Sequence, residues 1–400
     1  MYLEHLSLTN FRSFARLDID VPQGSVLLIG ANAQGKTSLL EAIYFLATST
    51  SFHASHDRQL INFMAARDPL VVSRIVAGYN RDGESHRMEV RIIQETNELN
   101  GAPRLRKELL LDGIKLKTNE MIGKFNAVLF LPQMLRVIEG APEERRRFLN
   151  LACAQVMPRY PAALTEYTRA LTQRNALLRQ LNERGGDHKQ LDFWDEQLAN
   201  SGAYLIFTRV LASAELERLV IGIHQDLTRT GEVLRLDYQP SFDPMPKPSG
   251  QYSLPLNAPV DRTAVTLDTI RKGFLENLQS QRSEDIIRGM TIRGPHRDEL
   301  RFLENGIDLG IYGSRGQIRT AILALKLAEV TWMYEKTGQW PVLLLDEVLA
   351  ELDVDRRTDF LIRLMVSEQT LLTTTDLDLF STEFVQDSTI WHVQEGRLVS

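Results

Sequence analysis

The chain has 400 residues, 43% hydrophobic and 24% charged, an ordinary globular composition with enough apolar side chains for two or three cores. Its net charge of -6 excludes a protein that is basic all over, so any nucleic-acid contact has to come from a local patch. A single cysteine, Cys153, excludes an intramolecular disulfide and a cysteine-rich zinc site, and no apolar run approaches the roughly 18 residues a membrane span needs.

The N-terminal stretch YLEHLSLTNF alternates polar and apolar residues without the basic start and apolar core of a signal peptide, so a cytoplasmic location is the expectation. That stretch, RLDIDV and SVLLIG read as strands, followed by an amphipathic helix from about Gly35 to Ala47. LVVSRIVAGY and HRMEVRIIQ are further strands, and KELLLDGIKLK is a hairpin turning on Asp112-Gly113. FNAVLFLP is a short buried strand. From Pro142 the pattern turns helical, with proline at a helix start and Glu143 and Glu144 in its first turn. It stays helical to about Thr228, and Gly185-Gly186 breaks it into an antiparallel pair of arms. A proline-rich loop over 239–259 precedes a helix at about 265–281. Strands return at MTIRG and ELRFLENGIDLG, then a helix after YGSRGQ, the continuous apolar strand PVLLLDEV, helix TDFLIRLM, strand QTLLTTT and a closing hairpin in STIWHVQEGRLVS. The fold class is therefore α/β, one nucleotide-binding lobe split by a helical arm. Its boundaries are expected as 1–130 for the first part of the lobe, 131–287 for the arm and 288–400 for the rest of the lobe.

GANAQGKT, residues 30 to 37, satisfies G-x-x-x-x-G-K-[ST] in full. Backbone N–H groups from Gly30 through Ala31, Asn32, Ala33, Gln34 and Gly35 would wrap phosphates, and the helix that follows points its positive end, Lys36 to Ser38, at the same charge. Lys36 would reach the β and γ phosphates and the Thr37 hydroxyl a Mg²⁺ ion. In VLLLDEV, Asp346 closes an apolar strand where a carboxylate can hold Mg²⁺, and Glu347 can take a proton from an attacking water. Far downstream, Ser314 is a good N-cap for a helix over about 316–335, and such a helix terminus is a second anion site.

The order of these motifs resembles the ATP-binding-cassette superfamily in its SMC-related branch. LTNFRSF, GKTSLLEAIYFLATSTSF, GAPEERRRFLN, GPHRDEL and RGQIRTAILALKLAE, in that order, resemble the RecF family of DNA-repair proteins over nearly the whole chain. The resemblance implies an ATPase head in which Ser314, Gly316 and Gln317 of one subunit meet the γ-phosphate held by another. It makes LAELD with Asp353 the loop that crosses between subunits, puts Gln133 where a Mg²⁺-placing glutamine stands, and sets His296 and Arg297 in the ATPase lobe. A plain surface glutamine and a hydrogen-bonded turn histidine are the alternatives for Gln133 and His296. It further implies ATP and Mg²⁺ as cofactors, an ATP-dependent homodimer, slow DNA-stimulated hydrolysis, binding to single-stranded DNA and gapped or duplex junctions, RecR- and RecO-like partners, and a part in recombinase loading and the SOS response, with no membrane association. The chain departs from the family at Ala33, where glycine is usual, at Arg315, where a small or amide residue is commoner, and at Ala350, where serine is more usual.

A transporter ATPase subunit would place a histidine after the strand that follows Asp346, where Thr373, Thr374 and Thr375 stand instead. A long SMC rod would need sustained heptads, which the arms lack. For DNA, the basic candidates are Arg104 to Lys107, Lys115, Lys117 and Arg145 to Arg147. The last three lie at 100° steps on a helix and cannot all face one phosphate track, so one or two of them should brace the lobe.

Overall fold

The computed structural model describes residues 1–96, 103–229, 231–245 and 260–399; most of the loop expected over 239–259 lies outside the described residues. In chain order the strands are β1 (Tyr2–Phe11), β2 (Phe14–Asp20), β3 (Gly24–Ile29), β4 (Leu70–Arg81), β5 (Glu84–Thr96), β6 (Pro103–Leu111), β7 (Ile114–Leu116), β8 (Ala127–Phe130), β9 (Leu234–Gln239), β10 (Glu299–Glu304), β11 (Ile307–Asp308), β12 (Val342–Asp346), β13 (Gln369–Thr374), β14 (Thr389–Gln394) and β15 (Arg397–Val399). They fall into two compact units, one of residues 1–133 and 333–400, the other of residues 134–332.

The first unit carries two six-stranded sheets. One is antiparallel in the order β2-β1-β4-β5-β6-β7. Its last hairpin turns at Asp112 and Gly113 with φ of 51° and 82°, the paired positive values that a two-residue turn of this hand requires. The other runs β15-β14-β3-β13-β12-β8, parallel from β14 to β8 with β15 antiparallel at its edge. Its central strands are apolar without alternation because both faces are covered: Val26 to Leu28, Leu343 to Leu345, and Leu371 and Leu372 are all buried. Gln369 at the start of β13 joins the two sheets. Its amide accepts from the Leu3 N–H at 2.8 Å and donates to the Leu3 and Pro22 carbonyls at 2.9 and 2.8 Å.

The Lys36–Thr48 helix packs on the parallel sheet and is buried on nearly every side, not only along one stripe as its sequence suggests. Its one internal carboxylate, Glu41, is offset by a two-pronged bond from Arg12 at 2.6 and 2.8 Å.

The second unit is built on two long helices, Tyr160–Arg184 and Asp192–Thr228, separated at Gly185 and Gly186 with φ of 68° and 140°. Tyr160 meets Arg209, Tyr167 crowds Gly202, and Arg174 meets Asp195, so the pairing runs antiparallel. A Cβ on Gly202 would stand 2.7 Å from the Phe274 ring, which is how the Leu267–Ser280 helix comes so close. The small sheet β11-β10-β9 pairs strands some sixty residues apart, with Leu300 opposite Tyr238. That pairing groups residues 288–332 with this compact unit, which ends at 332/333, inside the Arg315–Thr337 helix.

MTIRG is not a strand. The N–H groups that would build a ladder go to side chains: Thr291 N to Asn175 Oδ1 at 2.8 Å, Ile292 N to Asp285 Oδ1 at 3.0 Å and Gly294 N to Ser241 Oγ at 2.7 Å.

Candidate functional site

The parallel sheet places the motifs of the first unit. Register sets Ile29 opposite Thr374 and Asp346 opposite Thr373, so the loop after β3 and the acidic end of β12 flank β13 at the carboxyl ends of the strands. That is where open parallel sheets hold ligands.

The loop itself is a backbone cradle. A Cβ on Gly30 would lie 2.4 Å from the Val393 carbonyl oxygen, and Gly35 has φ of 117° with Ser13 Oγ 2.8 Å from where a Cβ would be. Ala33 adopts φ of 65°, the left-handed conformation that the usual glycine would take without strain. The turn between β14 and β15 supports the loop from outside: Gly396 N donates to Gln34 O at 2.9 Å and Glu395 N to Gln34 Oε1 at 2.7 Å. Nothing in the local sequence signals this support, because it comes from the far end of the chain.

Lys36 is almost fully buried. Its Nζ donates to the carbonyls of Gly30 and Ala31 at 2.6 and 3.2 Å and lies 3.3 Å from Glu347 Oε1. Thr37 Oγ1 donates to Asp346 Oδ1 and Oδ2 at 2.9 and 3.0 Å. Thr373 Oγ1 donates to Asp346 Oδ1 at 2.7 Å and accepts from Glu347 N at 3.1 Å. Glu347 holds φ of 52°, a strained value for a non-glycine, and this turns its half-exposed carboxylate back over the loop. A cleft of about 270 Å³ results, lined by Ser13, the loop from Ala31 to Ser38, Asp346 and Glu347. Sequence reading gave Thr373 no role and did not single out Ser13.

Asp353 caps the Val354–Leu364 helix, its Oδ1 accepting from Arg356 N at 2.9 Å. Gln133 is exposed in the 3-10 turn beyond β8, and among the described residues no hydrogen bond joins it to Thr37 or Asp346.

Ser314, Gly316 and Gln317 lie in the second unit, at the start of the Arg315–Thr337 helix. Ser314 Oγ accepts from Gln317 N at 3.2 Å while Gln317 Oε1 accepts from Ser314 N at 2.9 Å, a reciprocal cap. Arg315 is exposed at the first turn.

GPHRDEL also lies in the second unit. Its members build a buried polar knot. His296 Nε2 faces the Thr291 carbonyl at 3.0 Å and its Nδ1 faces Tyr167 Oη at 2.7 Å; burial pushes its pKa down to about 4. Asp298 accepts from Arg209 at 2.9 Å, from Ser241 N at 2.9 Å and from Tyr238 Oη, and burial raises its pKa. Arg209 further reaches Pro295 O, Asn150 and Tyr160. Arg297 alone of the motif's charged residues is well exposed. Arg145 is bidentate to Glu299 at 2.5 and 2.9 Å and Arg146 donates to Asp298 O at 2.9 Å, so two of the three arginines brace this knot and Arg147 faces solvent. Of the other basic candidates, Lys107 pairs with Asp57 and Lys115 with Glu108. Cys153 is buried and its thiol is pushed up to about 12, so it is no nucleophile. No helix among the described residues is long and apolar enough to cross a membrane.

A phosphate-wrapping loop and an acidic strand end on one parallel sheet, with a capped signature helix in a second unit, define the head of an ABC-type ATPase. The chain matches the family described as RecF/RecN/SMC N terminal domain over residues 2–395. It is 37% identical to the DNA replication and repair protein RecF of Chloroflexus aurantiacus, covering 100% of this chain and 99% of that protein. It is 35% identical to the protein of the same name from Exiguobacterium sp., with the same coverage. A solved structure described as the recombination mediator protein RecF-ATP in the RecFOR pathway superposes with a TM-score of 0.82 at 29% identity, covering 100% of this chain and 97% of that one. An SMC head bound to a winged-helix domain of ScpA, at 16% identity and a TM-score of 0.53, shares the fold. The chain belongs to the RecF branch of this family.

Proposed function

We propose that this chain binds ATP with Mg²⁺ in the cleft of its first unit, pairs with a second copy when it does so, and closes on single-strand/duplex junctions of gapped DNA to promote recombinase loading in recombinational repair. The observation that carries the reading is the meeting of Lys36, Thr37, Asp346 and Glu347 at the carboxyl ends of β3 and β12. The residues fit the cofactor: a cradle with no room for a Cβ at Gly30, a buried ammonium and a carboxylate-hydroxyl pair of hard oxygen ligands. Bound MgATP would supply the phosphates that bridge two subunits and the bond whose hydrolysis releases them.

In this reading the loop N–H groups from Gly30 to Ser38 and Lys36 Nζ bind the phosphates, and Thr37 Oγ1 and Asp346 hold Mg²⁺, with Gln133 reaching it on closure. Glu347, half-exposed beside Lys36, takes the proton of the attacking water on its carboxylate, and turnover is slow. Ser314, Gly316 and Gln317 of one subunit meet the γ-phosphate on the other, and Asp353 lies at the crossing between them. The solved structures named for the RecFOR pathway support RecR- and RecO-like mediators as partners, and a contribution to the SOS response belongs to the same proposal.

Nucleotide binding and turnover of Lys36→Arg test the cleft: both fall if the loop holds the phosphates, and unchanged ATPase would remove the assignment. Ser314→Arg tests the trans contact: nucleotide binding stays while ATP-dependent dimers are lost.

A further inference from the structure

Gln317 is held at both ends of its side chain. Its Oε1 accepts from Ser314 N at 2.9 Å and its Nε2 donates to Glu304 Oε2 at 2.5 Å, while its backbone N–H donates to Ser314 Oγ at 3.2 Å. Glu304 closes β10 and is 4% exposed. His224, fully buried on the Asp192–Thr228 helix, brings its Nε2 to 3.1 Å from Glu304 Oε1.

A reciprocal helix cap needs no carboxylate behind it, and burying one is costly unless it has partners. What the carboxylate adds is direction. The Glu304 oxygen accepts here, so it draws the Gln317 NH₂ inward and leaves the amide oxygen for Ser314 N. One lone pair of Ser314 Oγ is then taken by Gln317 N, and the hydroxyl proton of this exposed serine is left to donate outward. Beside it, a Cβ on Gly316 would meet nothing nearer than Ser314 Oγ at 4.0 Å, so an anion can come up against the backbone. A flipped amide would instead turn its NH₂ against Ser314 N and undo the cap.

We propose that Glu304 is a positioning residue for the signature turn: it fixes the Gln317 amide, and through it the Ser314 hydroxyl, in the orientation that donates to a phosphate held by a second copy of the chain, and His224 of the long helix packs against that carboxylate. This rests on Ser314 and Gln317 acting in trans, as proposed above.

The test is sedimentation of the full chain over a series of Mg-ATP concentrations, alongside nucleotide affinity of the unpaired subunit. Glu304→Met keeps the length and removes the acceptor; it should raise the ATP needed for half-maximal pairing on the order of tenfold, the scale of one buried hydrogen bond left unmade, with the subunit's own nucleotide affinity unchanged. Glu304→Gln can still accept from Gln317 Nε2 and should stay within about twofold. His224→Leu leaves Gln317 its acceptor but changes the side chain packed against Glu304, and should shift pairing by roughly threefold, the scale of coupling between residues in contact; it also serves as the readout if Glu304→Met does not fold. Pairing of Glu304→Met, or in its place His224→Leu, at unmodified ATP concentrations overturns the proposal. Ser314→Arg separates the two ideas. If it still pairs with ATP, the trans reading has failed; if it does not pair while the Glu304 and His224 variants do, only the positioning role has failed.

Discussion

Thr37 and Asp346 are 309 residues apart in sequence and share a forked hydrogen bond, Oγ1 to Oδ1 at 2.9 Å and to Oδ2 at 3.0 Å. Thr373 holds the same Oδ1 from β13, at 2.7 Å. The carboxylate is thus oriented by a neighbour on β13, outside the loop that follows β3. Loss of such an outer partner commonly costs a metal site on the order of tenfold in affinity. Thr373→Val should therefore weaken nucleotide binding by about that factor when Mg²⁺ is present and leave it unchanged in EDTA, as titration with a fluorescent ATP analogue would read.

Ala33 holds φ of 65° inside the loop. A Cβ in the left-handed region costs about 1 kcal/mol, so Ala33→Gly should stabilise the chain by about that amount, read as a higher urea midpoint. A lower midpoint would mean that the extra freedom of glycine in the unfolded chain outweighs the strain.

Arg174 is fully buried between Asp195 and Asp285, at 2.7 and 2.6 Å, and also reaches Thr291 at 2.8 Å. Removing the arginine leaves Asp285 without its buried cation and Asp195 with Arg282 alone. Arg174→Ala should cost roughly 3–5 kcal/mol, seen as an early loss of helical signal on heating.

His296 carries an acid sensitivity. Its pKa in the fold, about 4, lies below the ordinary 6.5 because it is buried, with Arg297, Arg146 and Arg209 adding to the effect. Between those values the unfolded chain binds more protons than the folded one, so stability falls as pH drops from 6.5 and flattens below about 4. The full loss is on the order of 3 kcal/mol. Unfolding midpoints of His296→Gln across this range should show a shallower slope than the unmodified chain.

Local spacing made the cleft readable. GANAQGKT and VLLLDEV carry their chemistry within a few residues, and an apolar strand beside each leaves one sheet edge for both. The Asp112-Gly113 hairpin was equally plain, because its turn needs two positive φ angles. Arg145 to Arg147 divided as their helical spacing required. What stayed hidden depends on partners far away in sequence. MTIRG alternates like a strand, yet Asn175, Asp285 and Ser241 take its N–H groups. The second unit reaches Trp332 because β9 and β10 pair across sixty residues, which no local pattern records. The helix after the phosphate loop looked one-faced, and the Arg12–Glu41 pair is what lets it be buried all round.

The most direct test of a site completed by a second molecule is the mass of the Glu347→Gln variant by sedimentation, with and without Mg-ATP and with and without a gapped duplex. The account predicts a monomer without nucleotide, a dimer with it, and a dimer that stays on the gapped DNA. A monomer under every condition would contradict it.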